Sequence, residues 1–257
     1  MFEVGFVTLT QPQTILFHYN KFEGKLLPDV LEKLCRDSLL KIRQNPEHFF
    51  SPSLRVTLYK VFGLSNRASN IGDCIKQIES SSYDFTLADS ALGWLAILTA
   101  ERILPIWRQL RLYQADADYE MLWGNAEETI SVAKEVLLNT RTALEAYNFM
   151  LGLYYNPSAS YNDEKNVLRF YFTTRVASDA LEFLLMGVDA MVQMGTLFYS
   201  DAEIHCEQHD FATMAITAYA NFEKSNKAEK RLEFWEWWLT EAIPQAWELA
   251  QKTYKPQ

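Results

Sequence analysis

Apolar residues recur with a helical period through most of this 257-residue chain, and this pattern restricts the fold more than any other feature. Positions three and four apart share one face of an α-helix, so apolar residues at that spacing predict helices with one buried side. Only nine glycines and eight prolines interrupt the pattern, and hydrophobic residues make up 49% of the chain. We therefore predict an all-α protein, a multi-helix bundle of long antiparallel helices.

Proline, glycine and polar segments set the predicted helix boundaries. The helices are expected at about 28–45, 52–62, 69–78, 85–113, 119–154, 163–198 with a break near Gly187 or Gly195, 201–222, and 226–252. Two β-like runs, 2–9 and 14–19, predict a short N-terminal hairpin or an extended arm. The polar segment 79–83 is the best internal linker, so we predict an N-terminal part, 1–82, and a main helical domain, 83–257, or one continuous domain, 1–257.

The charge of the chain is unevenly distributed. Residues 1–113 carry 13 basic and 11 acidic side chains, whereas residues 114–257 carry 11 and 22, which makes the two parts +2 and −11. An acidic half repels nucleic acid and attracts cationic partners, so we expect a protein partner and no binding to DNA or RNA.

The cysteines and the first residues indicate the compartment. Three cysteines lie far apart with no CxxC pair, which favours reduced thiols packed as small hydrophobes. The N-terminal sequence lacks the features of a signal peptide, and the apolar run 90–107 contains Glu101, Arg102 and Pro105, so it predicts a core helix that does not cross a membrane. These observations predict a cytoplasmic protein.

Several charged residues fall within apolar stretches and are predicted to be buried as structural ion pairs, because a buried charge needs a partner. They are Glu101, Arg102, Arg175, Asp189 and Glu241. Arg102 and Arg175 are the natural partners of the carboxylates, and Arg175 also shares a helix face with Asp179 and Glu182. A functional pocket around these carboxylates is the alternative.

The tryptophans form a second group of candidate residues. Their spacing predicts either core positions or the aromatic centre of an interface, and spacing alone does not separate the two. They are Trp94, Trp107, Trp235, Trp237 and Trp238.

The acidic excess concentrates in two segments. Residues 114–140 have a net charge of −5, and the segment 201–210 adds further acids. An acidic helix face is often only solvated, but these segments are the predicted partner-binding surface. Its residues are Asp116, Asp118, Glu120, Glu127, Glu128, Asp201, Glu203 and Glu207.

His205 and His209 stand one helical turn apart and are the only metal-site candidate. The HExxH pattern of zinc proteases and the paired ExxH elements of di-iron bundles are both absent. No glycine-rich phosphate loop, nucleophile elbow or EF-hand loop occurs. We therefore expect no metal and no cofactor.

Two segments, ALGWLAILTAERILPIW (91–107) and RLEFWEWWLTEAIPQAW (231–247), resemble a known family. They are similar to the all-helical immunity proteins of bacterial polymorphic toxin systems, in which a helix with a tryptophan followed by AER-[VI]-LP precedes acidic helices and an FWEW-type closing helix. The resemblance covers roughly residues 85–250, and the central helices here are richer in aromatics than those of the family. It implies stoichiometric binding to a cognate toxin without catalysis, and it implies that the matching tryptophans, Glu101, Arg102 and Pro105 are mostly architectural.

Three functions are therefore open. The first is immunity-type binding of a cationic toxin through the acidic surface. The second is a helical-bundle metal or carboxylate enzyme that uses Glu101, Asp189, Glu241, His205 and His209. The third is a helical scaffold or interaction protein, for which an exposed FWEWW patch (residues 234–238) would be the sign.

Overall fold

The structure, a computed structural model, describes residues 19–22, 25–63, 71–80, 85–113, 125–153, 165–198, 210–223 and 225–255. Its elements, in chain order, are strands β1 (Tyr19–Phe22) and β2 (Lys25–Pro28), helices α1 (Asp29–Gln44), α2 (Pro52–Val61), α3 (Ile71–Glu79), α4 (Leu87–Tyr113), α5 (Ala126–Leu137), α6 (Ala143–Leu153), α7 (Lys165–Phe198) and α8 (Phe211–Ile216), the π-helix π1 (Thr217–Asn221), helix α9 (Lys227–Trp237), the π-helix π2 (Trp238–Ala242) and helix α10 (Ile243–Thr253). The predicted all-α bundle is confirmed. None of the described helices is both long enough and apolar enough to cross a membrane.

Helix α4 lies at the centre of the bundle. It packs against α5, α7, α8 and α10, and α7 in turn contacts α3, α5, α6 and α8. Leu95, Ala96 and Ile97 are fully buried in consecutive positions, which requires neighbours around more than half of the circumference of the helix. One hydrophobic cluster includes residues of α1 to α3 as well as residues of α4, α7 and α9. The division near residue 82 stays a prediction.

The structure describes one short hairpin, which follows the two predicted β-like runs in the chain. β1 and β2 are antiparallel, with Tyr19 opposite Pro28 and Phe22 opposite Lys25. Residues 1–18, which contain most of the two predicted runs, lie outside the described residues. Strand β2 contacts α10, so the hairpin packs against the C-terminal helix.

The single helix predicted for 119–154 is wrong, since the structure has two helices there. Helix α5 ends at Leu137, Asn139 adopts a left-handed φ of 57°, and the N–H of Thr140 donates to the carbonyl of Glu135. A capping box then opens α6, because the Thr142 N–H donates to Glu145 Oε2 and the Glu145 N–H donates to Thr142 Oγ1.

The predicted break near Gly187 is confirmed. Gly187 has φ 78° and ψ 174° inside α7, a conformation that glycine adopts without the steric cost that a Cβ would impose. The helix expected from residue 201 is described only from Asp210 onward. Asp210 caps α8 by accepting the Thr213 N–H at 2.6 Å.

Candidate functional site

Glu101 and Arg102 are not buried as predicted, and they do not pair with each other. Each side chain is about one-third exposed on α4. Lys134 Nζ lies 2.7 Å from Glu101 Oε1, and Arg102 Nη2 donates to Glu233 Oε1 at 3.1 Å. Long side chains reach the surface from a mostly buried helix while their stems remain packed, so an apolar stretch does not by itself bury their charges.

Arg102 is held against aromatic rings. Its guanidinium lies 5.1 Å from the centre of the Trp237 ring and 5.7 Å from that of Tyr219. The Tyr219 hydroxyl also donates to Glu233 Oε1 at 2.6 Å. These contacts join α4 to π1 and α9, so Arg102 has a structural role in this part of the surface.

The prediction that Glu241 is buried is also wrong. Glu241 is exposed and lies in π2, where the Ile243 N–H donates to the Trp238 carbonyl five residues earlier. A π-helix is wider than an α-helix, so residues within it and beyond it turn away from the positions that a 3.6 period assigns. Glu241 therefore leaves the aromatic face on which it was expected.

Arg175 is partly buried and binds the two acids on its own helix face. Its Nε lies 2.7 Å from Asp179 Oδ1, and its Nη2 donates to Glu182 Oε2 at 3.2 Å. Burial raises the pKa of Glu182 to about 8 and that of Asp179 to about 6; Arg175 opposes the rise at Asp179 and Asp210 adds to it. The side chain of Asp189, the other predicted acid of this helix, lies outside the described residues.

A second buried ion pair was missed by the sequence reasoning. Arg55 of α2 is buried, and its Nε donates to Asp210 Oδ2 at 2.8 Å. Its other nitrogens donate to the Phe50 carbonyl and to Thr213 Oγ1, while the Tyr59 hydroxyl donates to Asp210 Oδ2 at 2.9 Å.

A sequence signal for this pair existed. Leu58, Tyr59 and Phe62 follow Arg55 by three, four and seven residues, so they share its helix face. All three are buried. A lone arginine on such a face predicts a buried acidic partner. The partner's identity was hidden because Asp210 is 155 residues away.

The tryptophans belong mainly to the core. Trp107 and Trp238 donate their indole N–H groups to Thr174 and Thr99, both at 3.0 Å, and Trp94 donates to Thr253. Trp235 is also buried, whereas Trp237 is half-buried under Arg102. The FWEWW segment thus faces the core over most of its surface, and it lacks the exposed aromatic patch that the scaffold hypothesis required.

The described part of the acidic surface lies on α5. Glu127 accepts from Arg108 Nε at 2.6 Å, and Arg141 Nε lies 2.8 Å from Glu135. Glu128 is exposed in the first turn, where its backbone N–H donates to the capping residue Asn125. The remaining predicted residues of this surface lie outside the described part of the chain: Asp116, Asp118, Glu120, Asp201, Glu203 and Glu207.

His205 and His209, the metal-site candidate, also lie outside the described residues, so this site stays a prediction. Within the described ranges, no group of three or more His, Cys, Asp or Glu side chains could hold a metal ion. Cys35 and Cys74 are buried and not in disulfides, and burial together with the nearby Glu32 raises the pKa of the Cys35 thiol. Both thiols are therefore packed as small apolar groups.

Comparison with known proteins adds no further assignment. None of the models of protein families matches this chain, and no curated protein matches its sequence.

Proposed function

We propose that this protein is an immunity-type binding protein, which neutralises a cognate cationic toxin by stoichiometric binding through its acidic helical surface. The observation that carries the proposal is the charge distribution, with a net charge of −11 on residues 114–257 against +2 on residues 1–113. The family resemblance of the segments 91–107 and 231–247 supports the same function.

Electrostatic complementarity explains what such a surface would do. A negative surface attracts a cationic partner over several ångströms and raises the association rate, and salt screens this attraction. Binding would therefore be fast at low ionic strength and slower at high ionic strength.

Glu128 is the described acid that best fits a partner contact. Helix α5 is anchored in the core by Ile130, Ala133 and Val136, so its outer face is held rigidly. Glu127 and Glu135 are already neutralised by arginines of this chain. Glu128 is exposed, and no ion pair of Glu128 occurs among the residues that the structure describes. Its charge is thus open to a partner.

The enzyme alternative has less support from the geometry. Glu101 is bonded to Lys134 at the surface, and Glu241 is exposed. Two catalytic carboxylates must lie on either side of one substrate site. The surface contacts of Glu101 and the exposed position of Glu241 are ordinary for charged side chains and indicate no such site.

The test is co-purification with the toxin encoded by the adjacent gene. We expect a complex of fixed stoichiometry by size-exclusion chromatography with light scattering, and loss of toxin activity in proportion to the protein added. Failure to form a complex at both low and moderate salt would reject the proposal.

Charge reversal tests the surface itself. The variant Asp118→Lys with Glu128→Lys should lower the association rate roughly tenfold at low salt and less at high salt. The matched control is Asp37→Lys with Glu79→Lys, which changes the net charge equally at two exposed acids of α1 and α3. If both variants slow association equally, the effect comes from total charge and the acidic surface is not the binding site.

A further inference from the structure

A cleft of about 270 Å³ opens where the segment 48–51 meets the C-terminal helices. Its walls come from this segment, from the start of α2, from α8 and π1, and from α9. The π-helix contributes Thr217 and Asn221, which face the cleft from a widened turn. Such turns are often found at functional sites, because the altered geometry presents side chains that a regular helix would direct elsewhere.

The polar wall of the cleft is cationic. Arg55 and Arg231 line it, and none of the described residues that line it is acidic. The charge of Arg55 is balanced inside the protein by Asp210, which lies 2.8 Å away.

The charge of Arg231 is neutralised much more weakly than the charge of Arg55. Its side chain is 17% exposed, and its Nη1 lies 3.3 Å from Glu47 Oε2, but the side chain of Glu47 is 74% exposed. Water screens an ion pair with so exposed a partner, which leaves it little binding energy. Asn221 Oδ1 accepts from both Nε and Nη2 of Arg231, at 3.2 and 2.9 Å, and so fixes the direction of the guanidinium.

The other wall is apolar. Phe49, Phe50, Pro52, Ile216 and Trp235 form it. Phe49 is 56% exposed despite its size, while Phe50 and Trp235 are buried and pack edge to face at 5.1 Å. An exposed aromatic ring and an oriented guanidinium in one cleft offer an apolar contact and a charge-assisted contact to an amphiphilic anion.

The geometry points to a binding site for a small organic carboxylate with an aromatic or branched apolar body. Its carboxylate would bind Arg231 in place of the Glu47 carboxylate, while the Glu47 backbone carbonyl keeps its contact with Nη1, and its apolar part would lie between Phe49 and Ile216. The volume exceeds the roughly 150 Å³ that holds a benzene molecule and falls just below the range of about 300 Å³ and more that holds drug-sized ligands. One ring with a short acid chain therefore fits. This site is independent of the proposed toxin binding, and its test uses no toxin.

The experiment titrates the full-length protein with 3-phenylpropionate and with the neutral 3-phenylpropionamide, monitored by ligand-observed NMR and calorimetry. We expect the acid to bind with a Kd on the order of 1 mM or lower and about tenfold more tightly than the amide, because only the acid forms a charge-assisted pair with Arg231. Equal affinities, or no binding of either compound, would overturn the proposal.

Three variants separate the charged contact from the apolar one. Arg231→Met should lower the affinity for the acid to that for the amide, whereas Phe49→Ala should weaken both by a similar factor. Glu47→Gln removes the competing carboxylate and should strengthen binding of the acid about twofold, and it keeps the proposal testable if Arg231→Met does not fold. An Arg231→Met variant that folds and still prefers the acid, or a Glu47→Gln variant that weakens acid binding, would contradict the site.

The C-terminus of a peptide also carries a carboxylate. The same titration is therefore repeated with N-acetyl-Gly-Gly-Phe, which has a free C-terminal carboxylate. We expect it to bind no more tightly than 3-phenylpropionate. If it binds tenfold more tightly, the small-molecule assignment is wrong and the cleft recognises a peptide terminus.

Discussion

Asp179 and Glu182 are carboxyl groups that the fold keeps away from water. Both are almost completely buried on α7, and Arg175 is the cation bound to both of them. Desolvation disfavours the charged form of a carboxyl, so burial raises the pKa of Glu182 from its ordinary 4.5 to about 8. A raised pKa in the folded state means that folding takes up a proton near neutral pH.

This proton uptake makes stability depend on pH. The folded state holds a proton on Glu182 between pH 4.5 and about 8, whereas the unfolded state has released it, so the free energy of unfolding falls as pH rises through that window. Asp179 acts in the same direction between pH 3.8 and about 6. We predict that Glu182→Gln gains stability relative to the wild type from pH 5 to pH 8, measured as the urea midpoint at each pH.

Glu145→Gln is the matched control for that experiment. Glu145 is exposed, and hydrogen bonds from Thr142 lower its pKa, so it is ionised throughout the same window. The difference between this control and the wild type should stay constant from pH 5 to pH 8. A Glu182→Gln difference that is equally constant would contradict the assignment of a raised pKa to Glu182.

The π-helix π2 adds a turn of unusual width to the C-terminal helix. A π-turn corresponds to one extra residue in an otherwise α-helical segment, so the helices on either side have the register of a continuous α-helix from which this residue has been removed. Trp235 before the turn, Trp238 at its first position and Trp247 after it are all buried in the core. The wide turn thus lets the aromatic residues of α9 and those of α10 face the same core.

Deletion of Glu241 should be tolerated. Removing one residue from π2 converts it to a regular α-turn and leaves the register of α10 unchanged, so we expect a folded protein with Trp247 still buried. Circular dichroism, urea unfolding and tryptophan fluorescence measure this outcome.

Deletion of Gln245 is the control, since Gln245 is also exposed but lies in regular α-helix. This deletion rotates Trp247 and Ala250 by about 100° out of the core and should cost at least about 3 kcal/mol, the cost of losing a buried tryptophan. If both deletions destabilise the protein equally, π2 does not contain the extra residue that we infer.

Close packing of α4 against α5 and α7 depends on Gly93. A Cβ at this position would lie 2.7 Å from Leu184 Cδ1 and 3.3 Å from both Cδ atoms of Leu137. All three residues lie in the core, so the leucine side chains have little room to move. The absence of a side chain at Gly93 sets the distance between these helices.

We predict that Gly93→Ala destabilises the protein by about 1 kcal/mol, because overpacking exceeds the gain in helix propensity. Urea denaturation at constant pH measures it. Gly152→Ala is the same chemical change in α6 at an exposed position with no atom within 4 Å of the new Cβ, and it should stabilise by up to about 0.5 kcal/mol, because Gly152 lies in the last turn of the helix. If both substitutions stabilise the protein, α4 can move away from α5 and α7 without loss of stability, and the packing at Gly93 is not close.

Local patterns in the sequence were sufficient for the fold class and for several boundaries. The 3.6-residue period predicted the helical bundle, Pro52 marked a helix start, and Gly187 was one of the two positions predicted for a break, whereas spacing left open whether the tryptophans lie in the core or at an interface. These features depend on near neighbours in the chain, because periodicity and backbone preference act over a few residues. The capping box at Thr142 and Glu145 was equally local, and it would have corrected the single helix predicted for 119–154.

The partners of the charged groups could be identified only from the three-dimensional arrangement. Glu101 is paired with Lys134 and Arg102 with Glu233, and Arg55 is paired with Asp210 from a distant helix. A sequence period shows which face of a helix is apolar, but it does not show which distant residue covers that face or how far a long side chain reaches toward water. The bundle itself therefore followed from the chain's own periodicity, whereas the partners of its charges and the cationic cleft at Arg231 arose only when distant helices packed together.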